Sequence, residues 1–337
     1  MKGANIVTLQ RKDIIMGCLF GGAAGDALGY PVEFDTYEQI QHQYGNTGIK
    51  FENFTGKPLI SDDTQMTLFT ASGLIDKSNY LENIWLNYQD WLETQFKPNK
   101  ENMSHEPVSL LINNYPEIFA SREPGGTCLR ALMRGIRGTL EEPINDSKGC
   151  GGVMRVAPIG LLDDDFSDQQ IIHLAAQSAA LTHGHPLSTI ASAFMADLIH
   201  QNVAGENRLR QAIQNTRILI QETFCDYSEI FTFMEMLDST LGFIGNDEED
   251  LTNLKMIGEG WVAEETLMIA IYATLKYEND PEKAIEVAVN HRGDSDSTGA
   301  LTGQIIGTFH GIQCLPQNFI SKLELKDAIV EMGNRLL

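Results

Sequence analysis

Apolar residues recur along most of this chain at intervals of three and four, the spacing that buries one face of an α-helix. Runs that alternate like a β-strand are few and short, and no long linker or sequence repeat divides the chain. Helices are predicted over residues 13–29, 62–71, 80–95, 124–139, 167–181, 186–202, 207–223, 227–242, 264–278, 281–290, 299–311 and 323–336. We therefore expect one compact all-α domain over residues 13–337, preceded by an N-terminal arm at 1–12 with an extended piece at 6–9.

Two of the predicted helices carry glycine at every fourth position. The rows are Gly17, Gly21, Gly25 and Gly29 in the first helix and Gly299, Gly303, Gly307 and Gly311 in the second. Because glycine inside a helix costs about 1 kcal/mol relative to alanine, two such rows need a structural reason. A row with this spacing forms a ridge, and a ridge of glycine lets another backbone approach closely. We expect the two helices to cross at the centre of the molecule, with axes no more than about 10 Å apart.

Composition and charge restrict the classes of function. The length of 337 residues permits one or two domains, and a hydrophobic fraction of 42% is ordinary for a globular protein. With 24 basic against 46 acidic residues the net charge is −22, which argues against a nucleic-acid-binding surface. An anionic small molecule could still bind where metal ions and backbone dipoles neutralise it.

The cysteines and the apolar segments indicate the compartment. Five cysteines without a Cys-x-x-Cys pair favour free thiols in a reducing environment. Residues 14–25 are apolar and small and would also suit a signal peptide, but they continue into residues 25–29, which we interpret as part of the fold. No run reaches the roughly 18 apolar residues of a membrane span. The expected location is the cytoplasm, without a membrane partner.

The candidate chemistry begins with residues 294–298, Asp-Ser-Asp-Ser-Thr, at the start of a predicted helix. Carboxylates and hydroxyls suit Mg²⁺, Ca²⁺ or Mn²⁺ rather than a soft metal. An EF-hand loop would need glutamate at its twelfth position, where Ile305 stands. The Asp-x-Asp-x-Thr motif of haloacid dehalogenase phosphatases should follow a buried apolar strand, and residues 290–293 do not form one. A solvated helix N-terminus is the alternative without function.

A second acidic cluster, residues 61–64 (Ser-Asp-Asp-Thr), also precedes a predicted helix. Adjacent aspartates are often only a helix cap, but two acidic, hydroxyl-bearing helix starts favour a shared site. If they converge, four carboxylates raise one another's pKa values unless a cation compensates, and a pair of divalent cations is the simplest solution. Contact between the glycine-rich helices would bring Asp26 and Glu33 close to this site. The apolar neighbours of Glu33 make it a candidate buried carboxylate.

Three loops supply further candidates. Residues 124–127 open a predicted helix with two glycines, which can cradle a phosphate but more often form a plain turn. Residues 149–155 hold three glycines in four positions and Arg155; they suit a pyrophosphate, although the ending of a Walker loop is missing. His183 and His185 lack the partners of a zinc site, so we expect a loop histidine that contacts substrate or caps a helix.

Together these motifs resemble the ADP-ribosylglycohydrolase family. The matching segments are residues 25–29 (Gly-Asp-Ala-Leu-Gly) with Glu33, 61–64, 151–158 (Gly-Gly-Val-Met-Arg-Val-Ala-Pro), 183–186 (His-Gly-His-Pro) and 293–297 (Gly-Asp-Ser-Asp-Ser). Each motif is weak alone, but five in the family's order across nearly the whole chain form a specific signal. The Asp-Ser-Asp-Ser form resembles the branch that acts on ADP-ribosylated arginine, including the dinitrogenase reductase-activating enzymes.

The resemblance implies an orthogonal all-α bundle that holds two Mg²⁺ ions at its centre, with Mn²⁺ as the alternative ion. The implied metal ligands are Ser61, Asp62, Asp63, Asp294, Asp296 and Ser297. Gly151, Gly152, Met154 and His183 would bind the ADP-ribose, and we add Gly126 and Cys150 from the two glycine-rich loops. The catalytic carboxylates would be Glu33, beside the scissile ribose, and Asp63, Asp294 and Asp296.

The activity implied by the resemblance is metal-dependent removal of ADP-ribose from a modified protein side chain, with arginine as the expected linkage. Cleavage at the anomeric carbon passes through a cation-like state that carboxylates stabilise. An aspartate of the metal site would activate water, while Glu33 positions the ribose or assists proton transfer. The alternatives are hydrolysis of serine-linked or free ADP-ribose conjugates, neutralisation of an ADP-ribosylating toxin by contact, and the structural role of lens crystallin relatives. The implied partner is an ADP-ribosylated protein, with a toxin as the second candidate.

Overall fold

The computed structural model describes residues 9–163 and 165–337, and these ranges contain helices but no β-strand. The helices are α1 Arg11–Gly29, α2 Tyr37–Tyr44, α3 Asp62–Gly73, α4 Tyr80–Phe96, α5 Leu110–Asn114, α6 Gly126–Leu132, α7 Ala157–Gly160, α8 Asp168–Ala180, α9 Pro186–Val203, α10 Leu209–Thr223, α11 Glu229–Phe243, α12 Asp250–Ile257, α13 Ala263–Lys276, α14 Pro281–Val289, α15 Ser295–His310, α16 Gln317–Ile320 and α17 Lys326–Arg335. The predicted all-α class is confirmed.

The ends of several predicted helices need correction. Helix α1 begins at Arg11, two residues earlier than expected, and the guanidinium of Arg11 donates to the carbonyls of Leu161 and Leu336 at 2.8 and 3.1 Å. Arg11 is therefore anchored to the helical domain. The extended piece expected at residues 6–9 lies, apart from Leu9, outside the described residues.

Helix α6 is shorter than its pattern suggested, and five short helices, α2, α5, α7, α12 and α16, were not predicted. Helix α6 ends at Leu132 instead of near residue 139, since Gly135, with φ of 63°, turns the chain. Helices α2, α5 and α12 are short and bury few apolar side chains, so their periodicity is weak; in α2 only Ile40 is buried. A capping box formed by Thr36 and Gln39 starts α2 instead.

The two glycine-rich helices pack against each other along most of their length. A Cβ atom added to Gly17, Gly21 or Gly25 would lie about 2 Å from a carbonyl oxygen, respectively of Gly307, Gly303 and Gly299. The predicted contact is therefore confirmed, and the pairing shows that α1 and α15 run antiparallel instead of crossing at one point. Such an approach is open only to glycine, because any side chain would force the backbones apart.

The remaining helices surround this pair. Helix α3 packs on α1, α4 and α15, while α9 packs on α7, α8, α10, α11 and α13. One continuous hydrophobic core joins all of these elements. The five cysteines are free thiols, as predicted. None of the helices in the described ranges has the length and apolar character needed to cross a bilayer.

Candidate active site and metal centre

A cavity of about 380 Å³ opens where the N-termini of α3, α6 and α15 meet the glycine-rich segment 149–154. Its walls are formed by Glu33, Phe34, Asp62, Asp63, Glu123, Pro124, Gly125, Gly126, Thr127, Cys128, Gly149, Cys150, Gly151, Met154, His183, Trp261, Asp294, Asp296 and Ser297. All of the site residues predicted from the sequence line this cavity except Ser61 and Gly152. The separate motifs therefore converge on one place.

The start of α3 is held by a buried aspartate of α1. The carboxylate of Asp26 accepts from the backbone N–H groups of Ser61 and Thr64 at 2.9 and 3.1 Å, and also from the Thr64 hydroxyl. The Ser61 hydroxyl accepts from the N–H of Asp63 at 3.2 Å and so caps the helix. Both carboxylate oxygens of Asp26 are thus occupied by hydrogen bonds that position the helix start. Asp62 and Asp63, the first residues of that helix, line the cavity.

The start of α15 is fixed by its own aspartates and by a glycine. The Asp294 side chain caps the helix, and the N–H of Ser297 donates to Asp296 Oδ1 at 2.9 Å. The N–H of Asp294 donates to the carbonyl of Glu259 at 2.9 Å. Gly293 has φ of 134°, and a Cβ there would lie 1.9 Å from the same carbonyl oxygen. Only glycine permits this approach, so the residue before Asp294 is dictated by packing.

The carboxylates of the cavity repel one another. Glu33, Asp294 and Asp296 each offer an oxygen within 4.8 Å of the other two. Burial, followed by repulsion from Asp296 and its neighbours, raises the pKa of Glu33 to about 10. The same causes raise the pKa values of Asp63 and Asp294 well above the usual range. The cluster is therefore short of positive charge.

The residues present fit divalent cations such as Mg²⁺ or Mn²⁺. Asp63 Oδ1 and Glu33 Oε2 are buried without a hydrogen-bond partner, which is costly unless a cation takes their place. No lysine or arginine lines the cavity within the described ranges. The available donors are carboxylate and hydroxyl oxygens, the ligands that hard cations prefer. Ser61 lies behind the surface, where its hydroxyl reaches Asp63 Oδ2 at 3.5 Å.

The glycine-rich segment passes between the cavity and helix α9. A Cβ on Gly151 would meet Cys128 Sγ at 2.7 Å and the His183 ring at 2.9 Å, so this position requires glycine. Gly152 faces away from the cavity, and a Cβ there would lie 2.6 Å from the Ser188 hydroxyl. Its part in substrate binding stays a prediction. Cys150 lines the cavity and donates its N–H to the carbonyl of Trp261 at 3.2 Å.

Met154 ties this segment to both acidic helices. Its carbonyl accepts from the Thr67 hydroxyl of α3 at 3.2 Å and from Gln304 Nε2 of α15 at 3.0 Å. At the start of α6, Gly126 lines the cavity, and the N–H of its neighbour Gly125 donates to Asp62 Oδ2 at 3.0 Å. The loops predicted to bind substrate are thus hydrogen-bonded to the helices that carry the carboxylates.

His183 is held as a neutral ring. Arg155, fully buried, donates from Nη2 to the Thr182 hydroxyl at 2.6 Å, and that hydroxyl lies 2.8 Å from His183 Nδ1. In the arrangement in which the Thr182 hydroxyl donates its own proton to Nδ1, the ring proton is on Nε2, which lies near Gly149 and Gly151. Burial, then the charge of Arg155, lowers the pKa of His183 to about 3.

The second histidine of the pair has a structural role. His185 is the N-cap of α9, and its Nδ1 accepts from the N–H of Leu187 at 3.1 Å. Of the two outcomes expected for this motif, His185 therefore caps a helix while His183 reaches the cavity. His183 is buried at the wall of the cavity, whereas His185 is half-buried.

Sequence reasoning missed three residues at the cavity mouth. The rings of Phe34 and Trp261 stack at 5.9 Å between centroids and 20° between planes, although 68% and 38% of these residues remain exposed. Glu123 also lines the mouth and has φ of 50°, which is rare for a residue with a side chain. In the sequence, Phe34 follows the candidate carboxylate Glu33, and Trp261 follows a glycine-rich turn at 258–260. Such neighbours are too common to identify a site.

The comparisons with known proteins agree with this geometry. A family model described as ADP-ribosylglycohydrolase matches residues 8–337. The chain is 26% identical to an ADP-ribosyl-[dinitrogen reductase] glycohydrolase of Rhodospirillum rubrum, with 93% of this chain and 91% of that protein covered. It is 24% identical to the ADP-ribosylhydrolase ARH3 of Bos taurus, with 91% and 88% covered. It is 21% identical to the ADP-ribosylarginine hydrolase Tri1 of Serratia proteamaculans (strain 568), with 97% and 80% covered.

A solved structure shares the fold. A chain described as an ADP-ribosylglycohydrolase-related protein complex superposes with a TM-score of 0.61 at 22% identity, with 97% of both chains covered. The family match spans nearly the whole chain and includes every motif that converges on the cavity. This chain belongs to the ADP-ribosylglycohydrolase family.

Proposed function

We propose that this protein uses divalent cations to remove ADP-ribose from modified arginine side chains of proteins. The observation that carries the proposal is the convergence of Glu33, Asp294 and Asp296 in one cavity that the glycine-rich segment 149–154 also lines. Carboxylates beside an anomeric carbon stabilise the cation-like state of glycoside hydrolysis. Backbone N–H groups of a glycine-rich turn suit the pyrophosphate of the same substrate.

The proposed metal ligands are Ser61, Asp62, Asp63, Asp294, Asp296 and Ser297. Bound divalent cations would hold the ribose hydroxyls and lower the pKa of a water molecule. Asp62 Oδ2 already accepts a hydrogen bond from the N–H of Gly125, which partly compensates its negative charge. Asp63 Oδ1 is buried and free of protein donors, which makes it the most available ligand atom in α3.

Glu33 is proposed to act on the ribose. It follows the 3₁₀ turn Tyr30–Val32 that ends α1, and its Oε2 is buried without a partner. From this position Glu33 can accept from a ribose hydroxyl or assist proton transfer at the anomeric carbon. An aspartate among Asp63, Asp294 and Asp296 is proposed to take a proton from the attacking water. His183 Nε2–H and the segment 149–154 would orient the rest of the ADP-ribose.

Arginine is the proposed linkage for two reasons. The Asp-Ser-Asp-Ser sequence of residues 294–297 resembles the arginine branch of the family. A relative that covers 97% of this chain is named an ADP-ribosylarginine hydrolase. Serine-linked and free ADP-ribose conjugates are the alternative substrates, since relatives with other specificities have similar identity. The proposed location is the cytoplasm, where five free thiols stay reduced.

The proposal is tested by release of ADP-ribose from an arginine-ADP-ribosylated protein. The assay compares Mg²⁺, Mn²⁺ and chelator for the wild type, Asp294→Ala and Glu33→Gln. Asp247→Ala, on an exposed acidic loop, is the matched control for charge. We expect metal-dependent release that falls at least a thousandfold in Asp294→Ala and stays within twofold in the control.

Other outcomes point to the other functions. Release only from serine-linked or free conjugates would replace the arginine assignment but keep the hydrolase. Tight binding of an ADP-ribosylating toxin that survives Asp294→Ala, without turnover of any conjugate, would indicate neutralisation by contact. Absence of both would reject the enzymatic proposal and favour a structural role.

A further inference from the structure

The mouth of the cavity combines one carboxylate with two aromatic rings. Glu123, Phe34 and Trp261 all line it, and Phe34 directly follows Glu33 in the chain. Glu33 lines the same cavity as these three residues. The mouth therefore opens from the cavity in which Glu33 is proposed to act on the ribose.

Glu123 is presented by a turn anchored on both sides. The N–H of Asp62 donates to the carbonyl of Arg122 at 3.1 Å, and Asp62 Oδ2 accepts from the N–H of Gly125 at 3.0 Å. Glu123 and Pro124 form the tip between these two bonds. The positive φ of Glu123 is unfavourable for a residue with a side chain. The fixed helix start of α3 thus holds the backbone of Glu123 at the cavity mouth.

Within the described residues, the carboxylate of Glu123 has no partner and is available to a ligand. Its neighbour Arg122 is paired with Glu324, with Nε to Oε2 at 3.3 Å and Nη2 to Oε1 at 2.6 Å. Across residues 9–163 and 165–337, no side chain forms an ion pair or hydrogen bond with the Glu123 carboxylate. An exposed carboxylate beside two aromatic faces is suited to a cation with a flat surface.

A second cavity adjoins the mouth on the protein surface. This shallow cavity of about 500 Å³ shares Phe34 and Glu123 with the first one. Its other walls are Tyr30, Pro31, Phe54, Lys57 and Leu59, a mostly apolar set. A side chain that enters the mouth can therefore come from a protein lying on this surface rather than from a small molecule alone.

We propose that Glu123, Phe34 and Trp261 form a specificity subsite that selects a guanidinium leaving group. The inference rests on the proposed function and names the residues that distinguish arginine from serine. A guanidinium forms two parallel hydrogen bonds with one carboxylate and stacks on aromatic faces, whereas a neutral hydroxyl leaving group does neither. The subsite thus favours the arginine linkage by charge and by shape.

The test compares two substrates that differ only in linkage. The value of kcat/KM is measured with matched peptides carrying ADP-ribose on arginine or on serine, at saturating Mg²⁺. The readout is the ratio of the arginine value to the serine value. Glu123→Gln keeps the size of the side chain and removes its charge, and Glu117→Gln removes the same charge from an exposed position outside the cavity.

We expect the ratio to fall about tenfold or more in Glu123→Gln and to stay within twofold in Glu117→Gln. Glu123→Gly tolerates the positive φ and also lacks the carboxylate, so it should lower the ratio to the same extent. Trp261→Leu should lower it as well, since the aromatic face is lost. These variants separate the charge from the backbone geometry of the turn.

Three results would overturn the inference. One is a ratio that changes less than twofold in Glu123→Gln, and another is an equal loss on both substrates, which would indicate a general role in the cavity. The third is a wild type that cleaves only the serine linkage, which removes the selection of guanidinium while the hydrolase survives. A wild type inactive on both peptides would reject the proposed function itself, and the subsite with it.

Discussion

Gly25 of α1 faces Gly299 of α15 so closely that a Cβ on Gly25 would lie 1.9 Å from the Gly299 carbonyl oxygen. The next residue of α1, Asp26, holds the start of α3 through its carboxylate. Helix α15 begins at Ser295, four residues before Gly299. The backbone contact between the two helices therefore sets the distance between the two acidic motifs. Packing of glycine against glycine is the foundation of the site.

Gly303→Ala is expected to lower stability by about 2–3 kcal/mol or more, because its Cβ would lie 1.8 Å from the Gly21 carbonyl oxygen and the helices must separate. Gly242→Ala is the control, since no atom lies within 4 Å of its added Cβ and α11 gains helix propensity. Thermal and urea unfolding measure both variants. Equal stability of the two would contradict the role assigned to the glycine pairs.

Asp26→Asn should weaken binding of divalent cations about tenfold without removing a proposed ligand. Asparagine cannot accept all three bonds that Asp26 receives from Ser61 and Thr64, so the start of α3 shifts. We expect a stability loss of about 2 kcal/mol as well. Calorimetric titration with Mn²⁺ measures the affinity. Asp13→Asn, in the first turn of the same helix, should leave it unchanged.

Metal binding should change how stability depends on pH. The pKa of Glu33 is raised from 4.5 to about 10 by burial and by Asp296 and Asp294. Between pH 7 and 9 the Glu33 side chain thus keeps a proton in the folded protein that it has lost in the unfolded chain. The contribution of Glu33 to stability therefore falls as pH rises, by at most about 1.4 kcal/mol per pH unit. In chelator, the wild type should lose more stability over this range than Glu33→Gln.

Saturating Mg²⁺ or Mn²⁺ should remove most of that difference, because a cation beside Glu33 favours the charged carboxylate. Unfolding temperatures of both proteins at pH 7, 8 and 9 provide the measurement. If stability in chelator rose with pH, or if the two proteins had the same slope, the raised pKa assigned to Glu33 would be wrong.

Thr182→Val should weaken binding of ADP-ribose about tenfold. The Thr182 hydroxyl connects Arg155 to His183 Nδ1, at 2.6 and 2.8 Å, and so fixes which ring nitrogen carries the proton. Without it the buried guanidinium also loses an acceptor. Thr182→Ser retains the hydroxyl and is expected to bind normally. Calorimetry with ADP-ribose measures the affinity independently of turnover. Equal affinity in Thr182→Val and Thr182→Ser would exclude a role of the Thr182 hydroxyl in orienting His183.

Several elements could be predicted from the sequence because their signals are local. Gly17 to Gly29 and Gly299 to Gly311 repeat every fourth residue, a spacing that has one main explanation in packing. The acidic motifs sit at helix starts because Asp and Ser cap helices, and their oxygen atoms define the class of metal. Helices α2 and α12 were not predicted because they bury too little apolar surface to show a periodic pattern.

Other features depend on contacts between distant segments. The role of Asp26 as an acceptor for α3 follows from two helices meeting, and no pattern near Asp26 indicates it. Glu123 acquired its place through the bonds of Asp62 to residues 122 and 125. Phe34 and Trp261 stack only because the segment 261–263 pairs with 148–150 beside the cavity.

The sequence by itself determined the helices, the glycine ridges and the hard-oxygen character of the chemistry, since each is written in residues that lie close together in the chain. The tertiary structure decided which carboxylates converge, which are left without partners, and which side chains surround the mouth. Glu33 and Asp294 come from opposite ends of the chain, and their interaction depends on how α1 and α15 pack. The spacing of the glycine rows predicted that these two helices meet, but the distances between the carboxylates and the absence of partners for single oxygen atoms depend on long-range packing, which local spacing does not encode.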